Sequence, residues 1–258
     1  MPKAHKPALR MILFTLALLI IPIAISLFIQ IGLSPASAKA WWAADNSSTG
    51  LSPDPATNRE AVLQVFSARA FGWRGAVGVH TWVAFKPSGA DHYTRMEVIG
   101  WGVYRGLPAV RVQPGIPDAK WYGEHPRILV ERRGEGVDEL IGTLLKAARE
   151  YPHGQVYRVW PGPNSNTFIA HLGRQVPELR LDLPPTAIGK DYLPGNGIFA
   201  SSPSGTGFQV SFWGLMGLML ALEEGVEVNL LGLTLGVDLL TPALKLPGLG
   251  RVGFEQKS

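Results

Sequence analysis

Four small polar residues, Asn164, Ser165, Asn166 and Thr167, follow a Pro-Gly-Pro turn and open an apolar-periodic stretch in RVWPGPNSNTFIAHLG (158–173). A hydroxyl in the first turn of a helix sits beside free backbone N–H groups and the positive end of the helix dipole. Both stabilise the charge that an attacked carbonyl oxygen develops. Ser165 is therefore the candidate nucleophile, and it needs a general base, because a free hydroxyl is weakly nucleophilic at neutral pH. His80 fits that role: it lies mid-strand in GAVGVHTWVAFKP (75–87), on the face opposite Val77, Val79, Val83 and Phe85. Glu97, or else His92, on the next strand is the candidate orienting group. Asn164, Asn166, Thr167 and Trp82 are the candidate ligand contacts. The same polar cluster also suits helix capping, since Asn, Ser and Thr are favoured N-caps, so catalysis, capping and a non-catalytic pocket all remain open.

Other chemistries are set aside on spacing. Ile188-Gly189-Lys190-Asp191 and Pro203-Ser204-Gly205-Thr206-Gly207 lack the pattern of a phosphate-binding loop, and Lys190 is read as the partner of a carboxylate. The six histidines show no metal-ligand spacing, and the chain has no cysteine, which removes disulfides, thiolate nucleophiles and cysteine zinc sites. Neither a cofactor nor a metal is expected.

The elements that must position these residues follow from hydrophobic periodicity. Strands are expected at 75–87, 92–102, 109–113, 127–133 and 155–160, with helices at 136–152 and 165–174; residues 59–71 are ambiguous between helix and strand. The strongly apolar segment 208–240, with Glu223-Glu224-Gly225 near its middle, is expected to form one long β-hairpin turning there, with the domain core, a membrane surface or a second span as its alternative surroundings. The expected fold class is α+β: an antiparallel strand meander with inserted helices and an apolar C-terminal hairpin.

The N-terminus has a different character. Lys3, Lys6 and Arg10 precede the uncharged run 11–33, and no Asp or Glu occurs before residue 41. The run is long enough to cross a hydrocarbon core of about 30 Å, and its basic flank places residues 1–10 in the cytoplasm and the body outside. The rival expectation is a signal segment cleaved at Ala38-Lys39-Ala40, which would secrete the body. Residues 34–58 are expected to be a flexible spacer and 59–258 the extracytoplasmic domain. Beyond residue 40, 20 basic and 20 acidic residues balance, so no basic stripe is present for displacing counterions from nucleic acid, and that class is excluded.

The motifs WPGPNSNTF, LPPTAIGKDYLPG, PSGTG and PALKLPGLGRVG, spread between about Phe66 and Gly253, resemble an uncharacterised bacterial family of membrane-anchored proteins, a resemblance that implies no activity. His80-Thr81-Trp82 followed by Asn164-Ser165-Asn166-Thr167-Phe168 is similar in order to the circularly permuted papain-like proteins of the NlpC/P60 group, with Ser165 at the place of the nucleophilic cysteine. That resemblance implies a permuted papain-like fold and cleavage of amide or ester bonds in cell-wall peptides or lipids. The resulting expectation is a single-pass protein of the bacterial inner membrane, held by residues 11–33, with its domain in the periplasm. It acts as a Ser/His hydrolase or acyltransferase on envelope amide or ester bonds, or as a non-catalytic envelope module that binds lipid, glycan or peptide.

Overall fold

A computed structural model of the chain describes residues 5–33, 41–195 and 197–254. Helix α1 (His5–Leu33) is apolar on all sides, and its segment Leu9–Gln30 is long and apolar enough to cross a membrane, a property that an N-terminal signal sequence shares. The candidate cleavage site at 38–40 lies outside the described residues.

The body is α+β and contains two antiparallel sheets. The first comprises β1 (Val62–Arg69), β2 (Val79–Lys86), β3 (Thr94–Val98), β4 (Val110–Pro114) and β5 (Arg127–Arg133), in the spatial order β4-β3-β2-β1-β5. The ambiguous residues 59–71 thus contribute the strand between β2 and β5. Strand alternation gives this sheet two unlike faces. Leu63, Val65, Val83, Met96 and Val98 line one face and bury against α2 (Val137–Arg149) and α3 (Ser165–Gln175), through Ile141, Leu144, Phe168, Ile169 and Leu172. The other face carries Phe66, Trp82 and Ala84, which pack with Trp121 and Ile128.

The strand expected at 155–160 is absent. Its alternating pattern is real, but its backbone is bonded locally: Val156 N–H donates to His153 and Arg158 N–H to the Pro163 carbonyl. The segment is a loop that leads into α3. The spacer expected at 34–58 is likewise not free where it is described. Asp118 accepts from Ser48 Oγ (2.7 Å), Leu51 N–H (2.6 Å) and Ser52 N–H (3.3 Å), and Lys120 pairs with Asp45 (2.6 Å), so residues 45–52 are fastened to the body.

The second sheet is a seven-stranded meander whose spatial order follows the chain: β6 (Phe199–Ser201), β7 (Gly207–Phe212), β8 (Met216–Ala221), β9 (Gly225–Leu230), β10 (Leu233–Asp238), β11 (Ala243–Leu246) and β12 (Gly250–Gly253). The run 208–240 therefore forms two hairpins joined at Glu223-Glu224-Gly225, where a single one was expected. The additional reversals are a three-residue turn at Trp213-Gly214-Leu215 (φ 53° and 71° at the first two) and a two-residue turn at Leu231-Gly232 (φ 55° and 82°). Positive φ at both residues of the Leu231-Gly232 turn is the type I′ geometry that matches strand twist, and a bulky first residue hid both turns from sequence reading.

The faces of this sheet are inverted relative to an ordinary one. Its polar face is buried: Gln209, Glu227, Asn229 and Lys245 point inward and meet Asp182, Lys190 and Asp191 from the segment after α3. Lys245 Nζ donates to both oxygens of Asp182 (2.8 Å each), to Glu227 Oε1 (2.8 Å) and to the Glu224 carbonyl (2.9 Å), and Lys190 pairs with Glu227 Oε2. Asp191 accepts from Gln209 and Asn229. Burial pushes the Asp182 carboxyl up to about 6. Burial acts in the same direction on Glu227, but the ammonium groups of Lys190 and Lys245 override it and lower that carboxyl.

Candidate functional site

The polar cluster at the start of α3 is occupied by the fold. Asn164 is the N-cap and forms a capping box: its Oδ1 accepts from the N–H groups of Asn166 (3.0 Å) and Thr167 (3.1 Å), while Thr167 Oγ1 accepts from Asn164 N–H (3.1 Å). Asn164 Nδ2 donates to the carbonyls of Val159 and Ile188 (3.0 Å each). Asn166 donates to the carbonyls of Val79 (3.1 Å) and Ile188 (2.8 Å) and accepts from Thr81 Oγ1 (2.9 Å), and Thr167 Oγ1 donates to the Gly189 carbonyl (2.8 Å). The excess of polar residues thus ties α3, β2 and the loop at 186–189 together, and the hydrogen-bonding capacity of Asn164, Asn166 and Thr167 is directed to the chain itself.

These bonds also fix which face of the sheet α3 covers. Thr81 reaches α3, and its neighbour His80 must then point to the opposite face of the sheet. His80 turns away from α3 towards Glu97 and Trp121, and no hydrogen bond joins it to Ser165 among the described residues.

It does bring His80 and Glu97 together. Trp82 is paired with Glu97 across β2 and β3, which sets Glu97 beside His80 on the same face. His80 Nε2 lies 2.9 Å from Glu97 Oε2, and Arg95 Nη2 donates to the same oxygen at 3.0 Å. Because a carboxylate only accepts, His80 donates through Nε2. Burial lowers the His80 pKa, against the opposing pull of Glu97. Burial alone would raise the Glu97 carboxyl, yet the His80 bond and the Arg95 charge outweigh it and hold the group at about 2. Glu97 is therefore an anion at any physiological pH. The Arg95 guanidinium lies over the Trp82 ring (4.6 Å to the centroid), and its Nε is buried without a partner. His92, the alternative orienting group, bonds to its exposed neighbour Asp91 (2.7 Å) instead.

Above this cluster lies a cavity of about 270 Å³ lined by Asn46, Arg95, Glu97, Gln113, Lys120, Trp121 and Tyr122, together with Ala119. His80 sits one layer below, its ring stacked on Trp121 (centroids 3.7 Å apart). It positions Glu97 and does not itself line the cavity. Trp82 lies deeper still, with its indole N–H donated to the Pro117 carbonyl (2.7 Å). Sequence reading found Glu97 but missed the rest of the lining. Arg95 carried a usable signal, since it is two residues from Glu97 on one strand and so shares its face. Asn46, Lys120, Trp121 and Tyr122 lie in irregular segments, where no periodicity marks a residue's direction.

Residues 60–192 match the model of a family described as a protein of unknown function, DUF3750. The chain belongs to that family. The DUF3750 region holds the whole first sheet, both body helices and the Arg95–Glu97–His80 cluster, whereas α1 and the second sheet lie outside it. No curated protein and no solved structure matches the chain.

Proposed function

We propose that this DUF3750 protein is a membrane-anchored extracytoplasmic binding module whose cavity takes a single polar ring, such as one sugar unit of an envelope glycan. The observation that carries the proposal is the buried, ionised Glu97, held by His80 and Arg95 at the floor of a cavity bordered by two amides, a lysine and two aromatic rings. An acid and amides that hydrogen-bond hydroxyls, beside aromatic rings that cover apolar ring faces, are the groups that hydroxylated rings require. The volume lies just below the usual range of about 300–1,000 Å³ for small-molecule sites, which favours one ring over an extended polymer. A Ser/His hydrolase finds less support, because His80 faces away from α3 and bonds to Glu97, with no bond to Ser165 among the described residues.

Retention of α1 as an anchor is supported by its bonds to the body. Ser26 Oγ donates to the Gly248 carbonyl (3.0 Å), and Gln30 Nε2 to Glu124 Oε1 (2.8 Å). Glu124 is backbone-paired with Trp121, so the cavity opens close to the C-terminal end of α1. With the basic flank in the cytoplasm, that position is just outside the inner membrane, in the periplasm.

The test is saturation-transfer NMR on the full chain in lipid nanodiscs, with N-acetylglucosamine, glucose and N-acetylmuramic acid as probes. At least one probe should bind, and Glu97→Gln should weaken it by tenfold or more, in line with about 1.5–3 kcal/mol for a hydrogen bond to a charged group. Binding that survives both Glu97→Gln and Trp121→Ala, or no binding by any of the three, defeats the proposal.

A further inference from the structure

An antiparallel sheet that packs on one side normally buries its apolar face and wets its polar one. The second sheet does the reverse. On β7 to β10 every residue on the outward face is apolar, from Phe208 through Val237, and none is charged. Phe208, Phe212, Met216, Leu218, Val228 and Leu244 are each 39–56% exposed. A contiguous apolar surface of this kind marks an interaction site. The inward ion pairs fix its direction, since turning the sheet over would place Lys245 and Glu227 outside and leave Asp182, Lys190 and Asp191 buried without their partners.

The occupant is indicated by α1. This helix packs against β10 and β11, and its Ser26 bonds to Gly248 in the β11–β12 turn. The approach is tight: a Cβ on Gly248 would lie 3.1 Å from Ile23 Cα and 3.1 Å from Ser26 Cβ. Ser26 is four residues before Gln30, the end of the apolar span, or about 6 Å along the axis. The turn is thus held level with the apolar part of the helix. In a meander the β7–β8 and β9–β10 turns lie at the same end of the sheet as this turn, and their tips, Trp213 and Leu231, are 71% and 65% exposed. Beside α1 stands the turn Gly72–Ala76, which presents the exposed Trp73 with Arg74 near its ring. Tryptophan and arginine are the side chains that favour the membrane–water boundary.

We infer that the outward face of the second sheet lies on the outer leaflet of the bilayer that α1 spans, as a monotopic contact that adds to the anchor. The inference rests on α1 being embedded in lipid. Non-polar contact with acyl chains takes the place of a protein partner, and the body is fixed at one height and orientation.

The chain has no cysteine, so single-cysteine probes are unambiguous. The full chain is reconstituted into phosphatidylethanolamine/phosphatidylglycerol vesicles with an environment-sensitive fluorophore at Leu218→Cys, at Leu16→Cys in α1, or at Glu135→Cys as an exposed reference, and is quenched with nitroxide-labelled lipids. The Leu218 probe should be quenched nearly as strongly as the Leu16 probe and several-fold more than the Glu135 probe. Quenching of Leu16 without quenching of Leu218 overturns the sheet contact and leaves the anchor intact; if neither is quenched, both fail. A Leu218 probe that is blue-shifted yet insensitive to lipid nitroxides, with cross-linking between copies through Leu218→Cys, would show the face covered by a second copy, and also overturns the inference. Labelled Val228→Cys serves as the second variant should Leu218→Cys fold poorly.

Discussion

Lys245→Met tests the inverted sheet directly. The ammonium group is 1% exposed and is ion-paired with both Asp182 and Glu227, while the direct ion pair of Lys190 is with Glu227. Methionine keeps much of the volume but leaves one buried carboxylate without a cation. Breaking a buried pair from one side costs about 3–5 kcal/mol. In a body of this size each kcal/mol lowers Tm by roughly 2–4 °C, so a fall of about 6–20 °C is expected in thermal unfolding of the detergent-solubilised chain, followed by tryptophan fluorescence. Removing both charges of one pair, in Lys245→Met with Asp182→Asn, should recover about 1–3 kcal/mol of that loss as coupling energy. The loss should also depend on pH. Asp182 already titrates at about 6 beside Lys245; without the ammonium its folded pKa rises further above the unfolded one. The folded variant then binds more protons than the unfolded chain, and its stability rises as pH falls. The gap to the unmodified protein should be smaller at pH 5 than at pH 8. A single-variant loss under about 1 kcal/mol, or a double variant equal to the sum of its singles, would refute the reasoning.

Four further outcomes are expected. Asn164→Ala removes a cap worth about 0.5–2 kcal/mol and two bonds to buried carbonyls worth about 1 kcal/mol each, so it should cost about 2–4 kcal/mol in denaturant unfolding. Ser165→Ala should cost less than about 0.5 kcal/mol and leave probe binding unchanged; the reverse order would return Ser165 to candidacy. Glu97 titrates at about 2 against an ordinary 4.5, so it contributes roughly 3 kcal/mol, in full above about pH 4.5 and lost as pH falls towards 2. Glu97→Gln should abolish that part of the acid-unfolding slope, and an unchanged slope would show that the carboxylate is not held as described. Leu231→Asn at φ 55° replaces a strained residue with one that tolerates the left-handed region and should raise stability by about 0.5–1 kcal/mol in thermal unfolding, provided the hairpin register is kept.

The sequence alone determined whatever depends on local rules. The alternation in 75–87 put His80 and Trp82 on the face opposite Val83 and Phe85, and the β2 face assignment follows it. Asn164 followed by Thr167 announced the start of α3 by chemistry confined to one helical turn, and the uncharged run from Met11 to Leu33 announced α1. Tertiary structure decided everything that depends on which face is covered. A period of two defines two faces on β2 but does not say which one a helix 85 residues later will choose, and α3 chose the Thr81 face, the one His80 turns away from. The same limit applied to residues 208–240. Gln209, Glu227 and Asn229 alternate visibly with their apolar neighbours, and the ordinary assumption is that such residues face water. They are buried because Asp182, Lys190 and Asp191, distant in sequence, supply ion pairs and hydrogen bonds that only the folded chain brings within reach, and the apolar side is left facing outward.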